Sequence, residues 1–289
     1  MNNIPIENFE AKHNLNDISE KLSTFGIVKI KNYFSENEVK NLMSSADYFI
    51  NNNDDGIKIK MNHENNEKGI NLELDPKVET ENMKIINKIF DKDLLKKVMI
   101  NCFKPYEFSF NKDLMLVKLF ESKNQILPWH FDRVQSYKFW INLGDVDEKN
   151  GAMEYAPSTH WEGKYRANSH MLSGNPLSTL PNDIYEKRII SKTILKGGPK
   201  DLFIFDSDGF HRGGIISSGE RLIIRSHCYP NPSRNWHDPK ISLGSLIKSN
   251  LNLSKIFSTY STRKIGNYLN YFNAKKRDKI IRKYFIKKN

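Results

Sequence analysis

Cysteine is nearly absent from this chain. Its 289 residues hold two, Cys102 and Cys228, far apart and with no CxxC pair. A disulfide framework and a thiolate zinc site are therefore excluded. Long apolar runs are missing too: nothing approaches the ~18–20 consecutive residues that span a bilayer. The opening segment MNNIPIENFEAKHNLND has neither a basic start nor an apolar run. No secretory leader is expected, and the chain reads as cytoplasmic. Acidic residues are scarce in one place only. From Lys240 to Asn289 there are thirteen Lys or Arg against one acid, Asp278. The whole excess behind the +11 net charge lies there, and residues 1–239 are neutral to within one charge. This step divides the chain into a body, 1–239, and a basic tail, 240–289.

With 38% apolar and 27% charged residues overall, the chain is a long globular sequence able to bury a substantial core. In FGIVKIKNYFSENEVKNL, alternation at Ile27–Lys31 predicts a strand. Ser35 stands three residues before Glu38, the spacing of a capping box. Val39, Leu42, Met43, Ala46 and Phe49 then recur at helical steps. Residues 51–82 are polar and Asn-rich and read as loop with a little local structure. A helical pattern covers about 82–99. From about residue 107 the texture changes to short β-branched and aromatic runs: LMLVKLFE, SYKFWINL, GAMEYAP, KRIISKTIL, KDLFIFD, RLIIRSHCY. Many short strands without helices between them predict a sandwich or closed roll. The long irregular insert 161–187 is expected to be a lid.

Residues 129–132 read WHFD. On a strand, residues two apart point to one side, so His130 and Asp132 aim together while Phe131 turns away. Two histidines and a carboxylate on one face are the ligand set of iron(II) sites that activate oxygen. His211, in the turn DSDGFHRGG, is the candidate third ligand. Alone, an HxD pair carries no weight, because this composition produces one by chance with a probability of roughly one half. His160 and Glu162 form a rival pair, and His227 and His237 rival His211.

The context around the pair is more specific. The stretch LPWHFDRVQSYKFWINLGDVDEKNGAMEYAPSTH and the later GGPKDLFIFDSDGFHRGGIISSGERL resemble the two signature blocks of the phytanoyl-CoA dioxygenase family. That family consists of iron(II)/2-oxoglutarate oxygenases. FGIVKIKNYFSENEVKNL is similar to the family's opening strand and helix, so the resemblance runs from about residue 25 to 229. It implies a double-stranded β-helix, or jelly roll: mainly β, with flanking helices. It implies His130, Asp132 and His211 as iron ligands, with Fe(2+), 2-oxoglutarate and O2 as cofactor and cosubstrates. Arg221 becomes the partner of the distal carboxylate of 2-oxoglutarate, since a guanidinium grips a carboxylate bidentately and stays charged when buried. Arg225 is its rival, an even number of residues along the same run. Trp140 matches an aromatic position near the oxoglutarate, and Asn142 and Lys118 are candidates for the same pocket. Gly213 replaces a small hydroxyl residue common in the family, leaving Ser226 or Lys118 as substitute donors. His160 falls in a structural PSTH turn. Arg133, Gln135 and Tyr155 flank the expected iron and are candidates for touching substrate. Because Asp132 is present, halogenation is disfavoured.

The activity implied is hydroxylation of a C–H bond with release of succinate and carbon dioxide. The substrate is expected to be a small molecule or a lipid-linked one, such as a sugar acid of lipopolysaccharide. A nucleic-acid-modifying oxygenase and a non-catalytic jelly-roll binding protein are the alternatives. The neutral body speaks against the first, because no continuous basic groove is available. The intact ligand set speaks against the second, and nothing implies an obligate protein partner. In the tail, Tyr268, Leu269, Phe272, Ile280, Ile281, Tyr284 and Phe285 recur at helical steps among eight basic residues from Lys275 to Lys288. Such a basic amphipathic helix suits the anionic inner face of a membrane, as a peripheral contact. Packing of its apolar side on the roll is the other reading.

Overall fold

In runs such as KDLFIFD, every residue from Asp201 to Asp206 is buried, which demands a sheet covered on both faces. A computed structural model of the protein describes residues 2–52, 56–63, 69–103, 107–122, 128–132, 136–160, 189 and 191–231. Two short strands, β1 (Asn2–Asn3) and β2 (Glu10–Ala11), flank a 3₁₀ turn at Ile6–Phe9. Helix α1 (Leu15–Phe25) runs into β3 (Ile27–Ile30), and α2 (Glu36–Asn51) follows. A hairpin of β4 (Ile57–His63) and β5 (Gly69–Leu74) precedes α3 (Glu81–Phe90) and α4 (Asp93–Phe103). Then come β6 (Glu107–Phe120), β7 (Tyr137–Asn142), β8 (Glu154–Tyr155) and β9 (Ser191–Ile194). The last three are β10 (Leu202–Asp206), β11 (His211–Arg212) and β12 (Glu220–Asn231).

The strands form two sheets, a large one in the order β2-β3-β10-β7-β12-β6-β5-β4 and a small one in the order β1-β9-β8-β11. Parity along each strand sorts the residues. Val28, Ile30, Leu116, Phe139, Ile141 and Ile204 meet the helices, whose buried stripes include Leu22, Leu42, Phe49, Ile86 and Val98. The opposite parity, with Ile27, Val117, Leu119, Trp140, Phe205 and Ile223, meets Met153 and Tyr155 of the small-sheet side. The result is the expected jelly roll, mainly β with helices packed on its outer face. The candidate site lies between the two sheets.

Local signals explain the helical side. Ser35 and Glu38 form a reciprocal capping box at α2. Of its periodic residues Val39, Leu42, Ala46 and Phe49 are buried, while Met43 is 41% exposed. Helix α1 ends on Gly26, whose φ of +74° belongs to the left-handed region. A Cβ there would overlap both the Tyr155 hydroxyl and the His160 ring, so α1 can turn into β3 only on glycine.

Two expectations change. Residues 51–82 are not mainly loop: β5 pairs with β6, Asn71 opposite Val117, and β4 extends the edge. The pattern at 82–99 is two helices. Lys92 breaks it, because its carbonyl caps Leu95 and Lys96 while its ammonium reaches Glu38 at 2.8 Å and lies over Tyr33. Among the described residues, no helix is long and apolar enough to cross a membrane. The insert 161–187 and the tail 240–289 lie outside the described residues.

Candidate metal centre

The turn from β10 to β11 and the segment Trp129–Asp132 are tied together by main-chain bonds. His130 and His211 exchange both of theirs, at 3.1 and 2.8 Å, and the Asp132 N–H donates to the Ser207 carbonyl at 2.9 Å. A bridge of this kind sets two residues directly opposite one another. It brings the imidazoles to 4.4 Å between ring centres. His130 thus sits on an isolated bridge and Asp132 on a separate main-chain bond to Ser207, instead of on the regular strand that alternation implied.

Gly209, in the same turn, faces Tyr155 so closely that an added Cβ would overlap the Tyr155 hydroxyl. Its carbonyl also accepts from His211 Nδ1 at 2.8 Å. Gly209→Ala is therefore expected to be destabilising by about 1–3 kcal/mol, as overpacking is, and to weaken metal binding through His211. Thermal unfolding with and without metal checks this; an unshifted midpoint would show that Tyr155 yields freely.

The Nδ1 atoms define the site. His130 Nδ1 lies 2.8 Å from the Pro128 carbonyl, matching the His211–Gly209 contact. A carbonyl only accepts, so each Nδ1 carries the proton and each Nε2 presents a lone pair. These lone pairs converge on Asp132 Oδ1, His211 Nε2 at 3.4 Å and His130 Nε2 at 3.9 Å. The three ligand atoms lie within 4.8 Å of one another. By donor set and tautomer this trio fits a divalent transition metal with one face left open.

One residue that sequence reasoning missed completes the cluster. Lys138 of β7 places its ammonium 2.7 Å from Asp132 Oδ2 and 3.2 Å from His211 Nε2. The bond to Oδ2 leaves Oδ1 for a metal, whereas a metal on His211 Nε2 takes the lone pair that Lys138 now shares. The signal was parity: Lys138 has the inward register of Trp140 and Asn142 in SYKFWINL.

Burial dominates the titration of these groups. It pushes His130 down to about 3, helped by the neighbouring His211. It also lowers His211, with the Lys138 charge second, and holds His227 well below its ordinary range. For Asp132 burial acts upward, but the Lys138 ammonium overrides it and keeps the carboxyl well below the usual range. The sign for stability follows. Histidines with depressed folded values stay neutral while the unfolded chain takes up protons below about pH 6.5. Stability of the metal-free protein is therefore expected to fall as pH drops from about 6.5 towards 3, with Asp132 adding to the loss below about 4. Each histidine contributes on the order of 1 kcal/mol per pH unit. Denaturant unfolding at pH 7 and pH 5 checks this, and equal stability at the two values would contradict it.

A cavity of ≈ 150 Å³ opens beside the trio, lined by His130, Lys138, Trp140, His211, Gly213, Arg221 and Arg225 among others. That is below the ~300–1,000 Å³ of sites for drug-sized ligands and suits a compact one. Arg221 is 3% exposed, with its guanidinium 6.0 Å from the Trp140 ring centre. Trp140 Nε1 donates to Asn142 Oδ1 at 3.1 Å. Asn142 therefore orients Trp140 and does not line the cavity itself. A Cβ at Gly213 would lie 4.0 Å from Arg221 Nη2, so this glycine forms open wall beside the arginine.

Three other candidates face elsewhere. Lys118 has the opposite parity to the lining residues Val117 and Leu119, and pairs with Glu220 at 3.2 Å. Ser226 sits opposite Phe139 in register, on the helix-facing side of the sheet. Tyr155 is fully buried, its hydroxyl donating to the Asp206 carbonyl at 3.1 Å. The rivals also separate from the trio. His160 Nε2 lies 3.3 Å from the Ser23 carbonyl, and His227 Nδ1 bonds Ser136 at 3.0 Å. Arg133, Gln135, Glu162 and His237 lie outside the described residues.

No family model matches the sequence, and no curated protein matches it. Solved structures do. EctD from S. alaskensis with bound Fe is similar at TM-score 0.56 and 14% identity, over 75% of this chain and 77% of that one. The epimerase SnoN in complex with Fe3+, alpha ketoglutarate and nogalamycin RO is similar at TM-score 0.54 and 14% identity, over 74% and 82%. AviO1 from Streptomyces viridochromogenes Tue57 is similar at TM-score 0.52 and 16% identity, over 75% and 96%. This chain shares their fold. Other neighbours include a non-heme alpha ketoglutarate dependent carbocyclase, SnoK, so the fold serves more than one reaction outcome.

Proposed function

We propose that the protein is an iron(II)/2-oxoglutarate-dependent oxygenase of the phytanoyl-CoA dioxygenase type that hydroxylates a substrate C–H bond. The observation that carries this is the convergence of His130 Nε2, His211 Nε2 and Asp132 Oδ1 beside a cavity that His130 and His211 line together with Arg221. When bound, the metal supplies the oxidation: dioxygen and 2-oxoglutarate are consumed, succinate and carbon dioxide leave, and one oxygen atom enters the substrate as hydroxyl. The chain's own residues do the rest. His130, His211 and Asp132 hold the metal by one face. Lys138 keeps Asp132 Oδ2 occupied, so that the carboxylate offers one oxygen. Arg221 receives the distal carboxylate of 2-oxoglutarate, and Trp140, fixed by Asn142, walls the pocket beside it. Val117, Leu119, Met153 and Ile223 line the cavity with apolar surface, which limits water and strengthens the ion pairs inside.

The test is succinate formation by the purified protein with iron(II), 2-oxoglutarate and oxygen. Slow turnover without substrate is expected, accelerated by a substrate, and absent in Asp132→Ala. Wild type and Asp132→Ala forming succinate equally, or neither forming any, would reject the reading.

A further inference from the structure

The cavity carries a cation that the proposed chemistry does not use. Arg221 and Arg225 both stand on β12, four residues apart and therefore on one face. Arg221 is assigned to the distal carboxylate of 2-oxoglutarate, and that cosubstrate's other carboxylate faces the metal. Lys138 is held at 2.7 Å by Asp132. Arg225 is left over. It is partly buried, it lines the cavity, and no carboxylate among the described residues lies within ion-pair distance of it. Its cross-strand neighbours are Trp140 on β7 and Met115 on β6, both without charge. Keeping a guanidinium against such walls costs free energy unless an anion meets it.

Register fixes where that anion would sit. Trp140 is directly opposite Arg225, and Lys138 is two residues along β7 on the same face. Arg225 and Lys138 are therefore diagonal neighbours, within reach of one another's long side chains. Arg221 is anchored ~13 Å further along the strand, with Ile223 between. The cavity thus has one arginine at each end, and the metal trio lies at the Arg225–Lys138 end.

We infer that Arg225 is the anchor for an anionic group of the substrate, a carboxylate or a phosphate, which it grips with its planar fork. The C–H bond to be oxidised then lies close to that anion, because anchor and metal trio share one end of a small cavity. The substrate class is a compact organic acid or phosphate ester, not a neutral molecule. This rests on the proposed function and deepens it.

The experiment uses the full-length protein with iron(II) and 2-oxoglutarate under anaerobic conditions, where an iron–oxo-acid chelate absorbs visible light. Acetate and inorganic phosphate are then titrated in by calorimetry. Saturable binding of at least one is expected. Arg225→Gln should weaken it at least tenfold while 2-oxoglutarate affinity moves less than threefold, and Arg225→Lys should lose less than Arg225→Gln. Tighter acetate assigns a carboxylate substrate, and tighter phosphate a phosphate ester. No saturable binding of either anion, or binding indifferent to Arg225→Gln, overturns the inference alone. So does an Arg225→Gln variant that loses 2-oxoglutarate instead. If wild type develops no visible band, the reading of the site fails and the inference fails with it.

Discussion

Asp132→Ala and His211→Ala are each expected to lower iron(II) affinity by at least ~100-fold while leaving the fold intact. Losing an outer partner of a ligand already costs ~10–100-fold, and these variants remove the ligands themselves. The fold survives because the main-chain bonds of the site do not depend on either side chain: the His130–His211 bridge and the Asp132–Ser207 bond are backbone to backbone. His160→Ala is the control. Its ring touches the Ser23 carbonyl and lies apart from the trio, so iron affinity should be unchanged. Isothermal titration with iron(II) under anaerobic conditions reads all three. Loss in His160→Ala with retention in His211→Ala would mean that the wrong histidine has been assigned.

Arg221→Ala is expected to weaken 2-oxoglutarate binding at least ~100-fold. The arginine is 3% exposed, and its removal would leave the cosubstrate carboxylate buried without a charge partner. Breaking such a pair costs about 3–5 kcal/mol, and each ~1.4 kcal/mol is a factor of ten. The Trp140 ring is 6.0 Å from the guanidinium and offers no replacement charge. Anaerobic 2-oxoglutarate titration of the iron-loaded variant measures the loss. Unchanged affinity would transfer the role to Arg225 or reject the cosubstrate.

The convergence of the trio was legible because chemistry constrains residue type: HxD with a distal histidine in HRGG is a pattern that brings two imidazoles and a carboxylate together. The jelly roll was legible because many short β-branched and aromatic runs follow one another from about residue 107 with no helical pattern between them. Residue roles around the trio were not, and Lys118 and Lys138 show why. Each sits in a strand as a single lysine among apolar neighbours, in VKLF and YKFW, and nothing local separates them. Register does. Arg221 pairs with Leu119 and Arg225 with Trp140, so Lys138 turns inward to Asp132 while Lys118 turns outward to Glu220. The same parity removes Ser226 and admits Arg225. Tyr155 was misplaced because a flanking aromatic looks the same whether it lines a site or plugs the core beneath it. The hairpin at residues 57–74 was hidden by its Asn, Lys and Gly content. Such an edge ladder is held by main-chain bonds to β6, which composition does not report.

The most direct measurement is an anaerobic titration of the full-length protein, first with iron(II) and then with 2-oxoglutarate, followed by visible absorption. One iron per chain is predicted, with a visible band that appears on adding 2-oxoglutarate, is lost in Asp132→Ala and requires far more 2-oxoglutarate in Arg221→Ala. Failure of wild type to develop the band, or a band that persists unchanged in Asp132→Ala, would contradict the assignment of His130, Asp132 and His211 as the metal centre.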